Sequence, residues 1–294
     1  IIPGVRMEER SPGSYRFSIR GSLLRSPFGV RNVKVYWNNL PLTDGGGNTY
    51  LNLLDFSSIG SMEIIKGPAG SLYGAGTGGV LLLNSPLVNK DKLEVSAVAG
   101  SYGLQRYQLS GQIHNEIANV RIHLAHQQYD GYREQTEMSR DAINIDAIYK
   151  LSRNGTFSLT TFFADLYYET PGGLTKQQYN ENPKQARPAG GPNPGAVEQQ
   201  AAVRNKAQYF GLNYDYEWND RWATRVGIFN SGAKFKNPAI RNYEERDEQN
   251  TGARTETQFR FGKERSHKLT FGGEFQIFDS PIMVFDNNQG VKGA

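Results

Sequence analysis

The feature that most constrains this chain is strict alternation. In Phe210-Gly211-Leu212-Asn213-Tyr214-Asp215-Tyr216-Glu217-Trp218 every second residue is large and apolar, and the residues between them are small, polar or charged. A period of two places the two sets on opposite faces of an extended strand. The pattern recurs in 93–100, 104–114, 120–125, 143–151, 156–166, 222–230, 255–261 and 268–277. Together these predict nine strands near the length of about 9 to 11 residues that crosses a bilayer.

Connection lengths sharpen the reading. Residues 115–116, 152–155, 219–220 and 262–266 read as tight polar turns, whereas 129–140, 167–204 and 231–250 read as long connections. Short links at one end and long ones at the other are the signature of an outer-membrane barrel, which a soluble sandwich has no reason to imitate. Only 101–103 is short where a long link is expected. Tyr216, Trp218 and Trp222 flank the turn at 219–220, where an interfacial aromatic girdle would sit. Apolar residues make up only 37% of the chain, yet it holds 16 Tyr, 15 Phe and 3 Trp, which suits a wall wet on one face and apolar on the other. No run of 18 apolar residues predicts a membrane helix. The net charge of +4 is spread along the chain and gives no nucleic-acid patch. Zero cysteines exclude disulfides, thiolate metal sites and cysteine nucleophiles.

Residues 1–90 read differently. Strands are expected at 15–20, 33–37, 62–66 and 80–83, with a short helical or irregular piece at 50–58, making a small mixed α+β unit unable to fill a large core alone. Residues 61–85 organise it: a strand, a Gly/Pro-rich corner at 67–79, and the apolar strand Val80-Leu81-Leu82-Leu83. Glu63-Ile64-Ile65-Lys66-Gly67-Pro68-Ala69-Gly70-Ser71-Leu72-Tyr73-Gly74, followed by Gly79-Val80-Leu81-Leu82-Leu83-Asn84-Ser85-Pro86, resembles the closing segment of the plug domain of TonB-dependent outer-membrane receptors. Ile2-Pro3-Gly4-Val5, Ile19-Arg20-Gly21 and the run from Val33 to Leu42 follow that family's order. Asn38-Asn39 stands where the family usually has Asp-Gly, and Asn tolerates the same turn.

The resemblance implies an N-terminal plug, residues 1–90, inside a partial antiparallel membrane β-barrel, residues 91–294. About 22 strands close a plugged transporter, so nine imply a chain incomplete at both ends, without signal peptide or TonB-contacting segment. It further implies no enzymatic activity and no cofactor. Expected instead is uptake of a ferric-siderophore or ferric-citrate chelate across the outer membrane of a Gram-negative bacterium, driven through TonB and its inner-membrane complex. Another ligand class (oligosaccharide, cobalamin, another metal chelate), a passive porin and a soluble carbohydrate-binding protein are the alternatives. The ligand would rest on outward loops of the plug, giving Arg10, Ser11, Ser14, Asp44, Asn48 and Tyr50 as candidate contacts. Arg20 and Lys66 match basic plug residues that anchor to barrel glutamates in related receptors. The loop opening with Tyr168-Glu169-Thr170-Pro171-Gly172-Gly173-Leu174-Thr175 is similar to a segment at the mouth of such receptors, expected to close over a ligand or meet a partner; arginines of the outer loops would suit an anionic chelate. Glu244-Glu245-Arg246-Asp247-Glu248 reads as a solvated loop tip. His123 and His126, three apart, point to opposite faces of a strand and cannot share a metal.

Overall fold

A computed structural model describes residues 2–22, 29–67, 70–74 and 78–293. The wall is a single antiparallel sheet of β7 (Lys92–Ala99), β8 (Gln105–His114), β9 (Ala118–Tyr129), β10 (Met138–Lys150), β11 (Gly155–Glu169), β12 (Ala202–Glu217), β13 (Trp222–Pro238), β14 (Asn242–Phe261) and β15 (His267–Asp279), each paired with the next. Beyond Ser280 and Pro281, β16 (Ile282–Asn288) continues β15 along β14 in the same register, Gln249 facing Asp279 and Arg246 facing Ile282. Pro281 has no N–H for the ladder, which explains the break. The short β17 (Val291–Lys292) folds back on β16. The sheet is open and does not close into a barrel.

Strands β10 to β14, at 13 to 20 residues, are longer than the alternation suggested. The largest departure is at 231–250, expected to be a long loop. The alternation continues through it, β13 and β14 run to Pro238 and from Asn242, and residues 239–241 turn the chain. The charge run is therefore strand: Arg246 pairs with Glu244 and, at 3.7 Å, with Glu248.

Burial follows the period of two. On β9, Arg121 and His123 are buried while Val120, Ile122 and Leu124 are exposed, and Phe210, Ile228, Phe275 and Ile277 extend that outer apolar surface across the sheet. Each such side chain gains about 1.5 to 3 kcal/mol on leaving water, so this face requires an apolar surrounding. At the short-turn end Trp218 packs edge-on against Tyr216 with centroids 4.8 Å apart, and Trp222 stacks on Phe259 at 4.4 Å.

The N-terminal unit lies against the other face. β1 (Val5–Ser11) and β2 (Ser14–Ile19) form a hairpin; β3 (Val33–Trp37), β4 (Leu40–Pro41), β5 (Ser61–Lys66) and β6 (Gly79–Asn84) form a mixed sheet with β3 parallel to β6. Sequence reasoning missed β1 and β4. Residues 50–58 are two 3-10 turns, Leu51–Leu53 and Phe56–Ser58, and the glycine-rich corner holds the short helix α1 (Gly70–Tyr73). Its residues 68–69 and 75–77 lie outside the described residues.

Candidate functional site

The site is the interface between the two units. At its centre Trp37 stacks on Phe162 at 5.8 Å, and Phe162 stacks on Tyr209 at the same distance. Beside this stack the β3–β4 hairpin inserts Leu40 into a groove left by two wall glycines. A Cβ on Gly211 would stand 2.8 Å from Leu40, and one on Gly227 would collide with it. Asn38 and Asn39 hold positive φ (47° and 68°), the conformation the turn needs. Asn38 donates to Thr160 at 2.5 Å, and Asn213 donates to the Asn38 carbonyl at 2.9 Å.

Around this apolar centre the contacts are polar. Asp55, with no exposed side-chain surface, accepts from Arg106 at 2.9 Å, Gln108 at 3.2 Å and Arg140 at 3.3 Å, and His123 Nε2 is 3.4 Å away. Arg140 also donates to the carbonyls of Asn52 (3.1 Å) and Leu54 (3.0 Å), so it clasps the whole turn. Burial pushes the Asp55 carboxyl up, but hydrogen bonds from His123 and Ser57 and the charges of Arg106 and Arg140 outweigh it, holding the group well below the usual carboxylate range. Ser85 donates to Asp146, and Tyr36 donates to Glu274 at 3.0 Å. Several buried polar atoms here, among them Asn144 Oδ1, Asp146 Oδ2 and Asn213 Oδ1, have no protein partner, as expected of an interface that admits water.

The outward candidates separate into groups. The 44–50 loop lies at the long-connection end: Gly45 donates to Asn250 at 3.3 Å, and its Cα faces Phe278 so closely that a Cβ would come within 2.7 Å. Asp44 accepts from the Asn48 amide at 2.9 Å; burial raises its carboxyl to about 6, with the Glu248 charge adding to the effect against opposing backbone hydrogen bonds. Tyr50 donates to Glu248 at 3.0 Å. The structure thus brings Asp44, Asn48 and Tyr50 to one small cleft that Glu248, Asn250 and Phe278 also line. Ser14 opens β2 beyond the Pro12-Gly13 turn, which packs under Tyr168. Arg10 and Ser11 end β1, and their side chains lie outside the described residues. Sequence reasoning missed Arg31, whose Nε donates to Asn48 at 2.6 Å from an exposed position.

Arg20 is exposed, and Lys66 donates to the Pro3 carbonyl at 2.6 Å. Among the described residues no wall carboxylate pairs with either. On β8–β10 the anchoring has the opposite polarity, an acid on the N-terminal unit and arginines on the wall. Residues 170–201 do not hang free over the site. Arg133 donates to the carbonyls of Gln185 (3.0 Å) and Gly172 (3.0 Å), Arg241 to that of Pro192 (3.1 Å), and Asn287 to that of Gln199 (2.9 Å). Arg133 and Arg241, two arginines of the connections read as long loops, each donate to backbone carbonyls. His123 faces inward and His126 outward, the latter 2.7 Å from Asp141.

Residues 1–80 match the family model of the TonB-dependent Receptor Plug Domain. The N-terminal unit thus matches the plug of a TonB-dependent receptor over those residues. Solved structures share the fold of plug and wall together. The ferric citrate transporter FecA in its unliganded form superposes with a TM-score of 0.81 at 15% identity, over 99% of this chain and 45% of FecA. The ferric yersiniabactin uptake receptor FyuA from Yersinia pestis gives 0.77 at 14% identity, over 97% of this chain and 46% of FyuA. The copper transporter OprC gives 0.74 at 14% identity, over 96% and 42%. The chain therefore spans less than half the length of these structures, which are transporters and receptors, not enzymes.

Proposed function

We propose that residues 1–90 are the plug and residues 91–294 the first nine wall strands of a TonB-dependent receptor in the outer membrane of a Gram-negative bacterium, which takes up a ferric-siderophore or ferric-citrate chelate. The observation that carries this reading is the seating of the plug: it packs on the polar face of the wall, opposite the apolar face, and is ringed there by hydrogen bonds and ion pairs. A passive pore would have no use for such a stopper.

A polar ring also suits a plug that must move. A hydrogen bond exchanged for water costs only about 0.5 to 1.5 kcal/mol net, so a pull relayed by TonB can release the polar rim of the plug while the Trp37–Phe162–Tyr209 stack stays covered. The ligand would rest on the 44–50 loop, with Asn48 oriented by Arg31 and the free edge of the Arg31 guanidinium available to an anionic chelate. The test is binding and uptake by the intact receptor. Ferric citrate or a ferric siderophore is expected to bind and to enter cells only when TonB is present; tight binding of a neutral oligosaccharide with no binding of any ferric chelate would overturn the ligand assignment.

A further inference from the structure

Among the described strands the plug is held on two sides that differ in kind. On β8–β10 the hold is dry: Asp55 is fully covered, and Arg140, 6% exposed, reaches it together with two carbonyls. On β14–β15 Tyr36 reaches Glu274, Tyr50 reaches Glu248 and Gly45 reaches Asn250, and the short helix α1 is held by one guanidinium. Arg254 donates from Nη1 to Glu274 at 2.7 Å and from Nη2 to the Leu72 carbonyl of α1 at 2.9 Å. It also lies 4.9 Å from the ring of Tyr36 on β3 and 5.5 Å from that of Tyr73 on α1. Beside it opens a cleft lined by Lys34, Ser71 and Gly74 of the plug and Glu256, Thr270 and Gly273 of the wall.

We propose that Arg254 is a releasable latch on α1, and that during transport the plug parts from β14–β15, widening this cleft into the ligand's path, while the Asp55 side stays seated. The inference rests on the transport reading above. Two observations support the order of release. Glu274, 18% exposed, and Arg254, 10% exposed, border a cleft that water can fill, whereas separating Asp55 from Arg140 strands groups that are 0% and 6% exposed, with only Arg106 beside them able to turn to water. A pull near Pro3 also has a short route to the latch: Lys66 at the end of β5 is tied to the Pro3 carbonyl, and the chain leads from there through Gly67 toward α1. Lys66 thus couples the N-terminal end of the plug to the corner that Arg254 restrains. Arg254 is a positioning residue, acting through α1.

The chain has no cysteine, so paired cysteines can be placed in it, with any cysteine elsewhere in the full-length receptor first replaced, and joined by a short cleavable bis-maleimide. Joining Ser71→Cys to Glu256→Cys is expected to leave ferric-chelate binding unchanged and to cut uptake at least tenfold, with recovery on cleavage. On the Asp55 side no substitution is needed: amide hydrogen exchange of residues 51–58 is expected to stay slow while TonB engages the loaded receptor, and that of residues 70–74 to accelerate. Undiminished uptake with the link, or equal acceleration of residues 51–58, overturns the proposal. A second measurement needs no ligand: without TonB, Arg254→Ala should raise the maleimide labelling rate of Ser71→Cys about tenfold, and Arg254→Lys should raise it less; an unchanged rate refutes the latch. Should the unlinked receptor take up no ferric chelate, the transport reading fails, and the labelling rates still decide the latch.

Discussion

Replacing Asp55 with alanine should unseat the plug from β8–β10. The substitution removes a fully covered carboxylate and leaves Arg106 and Arg140 facing each other across the vacated site. Breaking a buried pair from one side costs about 3 to 5 kcal/mol. Two features reduce this: Arg106 is 30% exposed and can turn to water, and Arg140 keeps the carbonyls of Asn52 and Leu54. About 3 kcal/mol is therefore the expected loss, roughly a hundredfold in the seated-to-unseated ratio. Trp37, which stacks on Phe162, is the only tryptophan among residues 1–90 and reports seating through its fluorescence. In detergent-solubilised full-length receptor, Asp55→Ala should shift the plug transition to lower denaturant while the barrel transition stays in place. Acid sharpens the test. Because the folded-state carboxyl is held below the ordinary 3.8, its contribution is present above that value and disappears as pH falls below about 4. Wild type should lose plug stability over that range and Asp55→Ala should not. Equal plug stability of the two proteins at pH 7, or parallel loss in acid, would refute the reasoning.

Asp44 has the opposite sign. Its carboxyl is raised to about 6, so the folded loop is favoured below pH 3.8 and loses that advantage as pH rises through 6; Asp44→Asn should stabilise the plug at pH 7 by about 1 to 3 kcal/mol and flatten its pH profile, measured by the same Trp37 signal. Gly227→Ala should cost about 1 to 3 kcal/mol, because its methyl collides with Leu40, and adding Leu40→Ala should remove part of the strain term in a double-mutant cycle. Arg133→Ala should free residues 170–201 from the neighbouring loop and accelerate their proteolysis at least several-fold, with the barrel transition unchanged. Arg31→Ala should weaken ferric-chelate binding without shifting plug stability by more than about 0.5 kcal/mol, since its side chain is exposed.

The wall was legible because a period of two is a local property: residues two apart share a face whatever lies beyond them. The same rule, carried further, would have found the β13–β14 hairpin. Glu244, Arg246 and Glu248 share one face and neutralise one another there, but a run of charges looks like a solvated tip when its alternation is ignored. Pairing across the interface was not legible in the same way. Asp55 sits in Leu53-Leu54-Asp55-Phe56 with no cationic neighbour in the chain, and its partners are 51 and 85 residues away. The available signal was the charge inside an apolar run, which must find a distant partner or stay neutral. The outward loop could be located because its glycines and Asp44 mark a turn. Arg31 carried no such mark, and its role comes from the Val30–Thr49 bridge that brings residues 29–31 alongside that loop.

The central claim is that one face of each strand meets lipid while the opposite face meets the plug. Spin labels on the full-length receptor in bilayers, with any cysteine outside this chain first replaced, at Phe210→Cys on the outer face and Phe229→Cys on the inner face, read this through collision with oxygen, which concentrates in hydrocarbon, and with a water-soluble nickel chelate. Position 210 should be relaxed strongly by oxygen and weakly by nickel, and position 229 weakly by both, being covered by the plug. Strong nickel relaxation at 210, or oxygen access at 229 equal to that at 210, would contradict it.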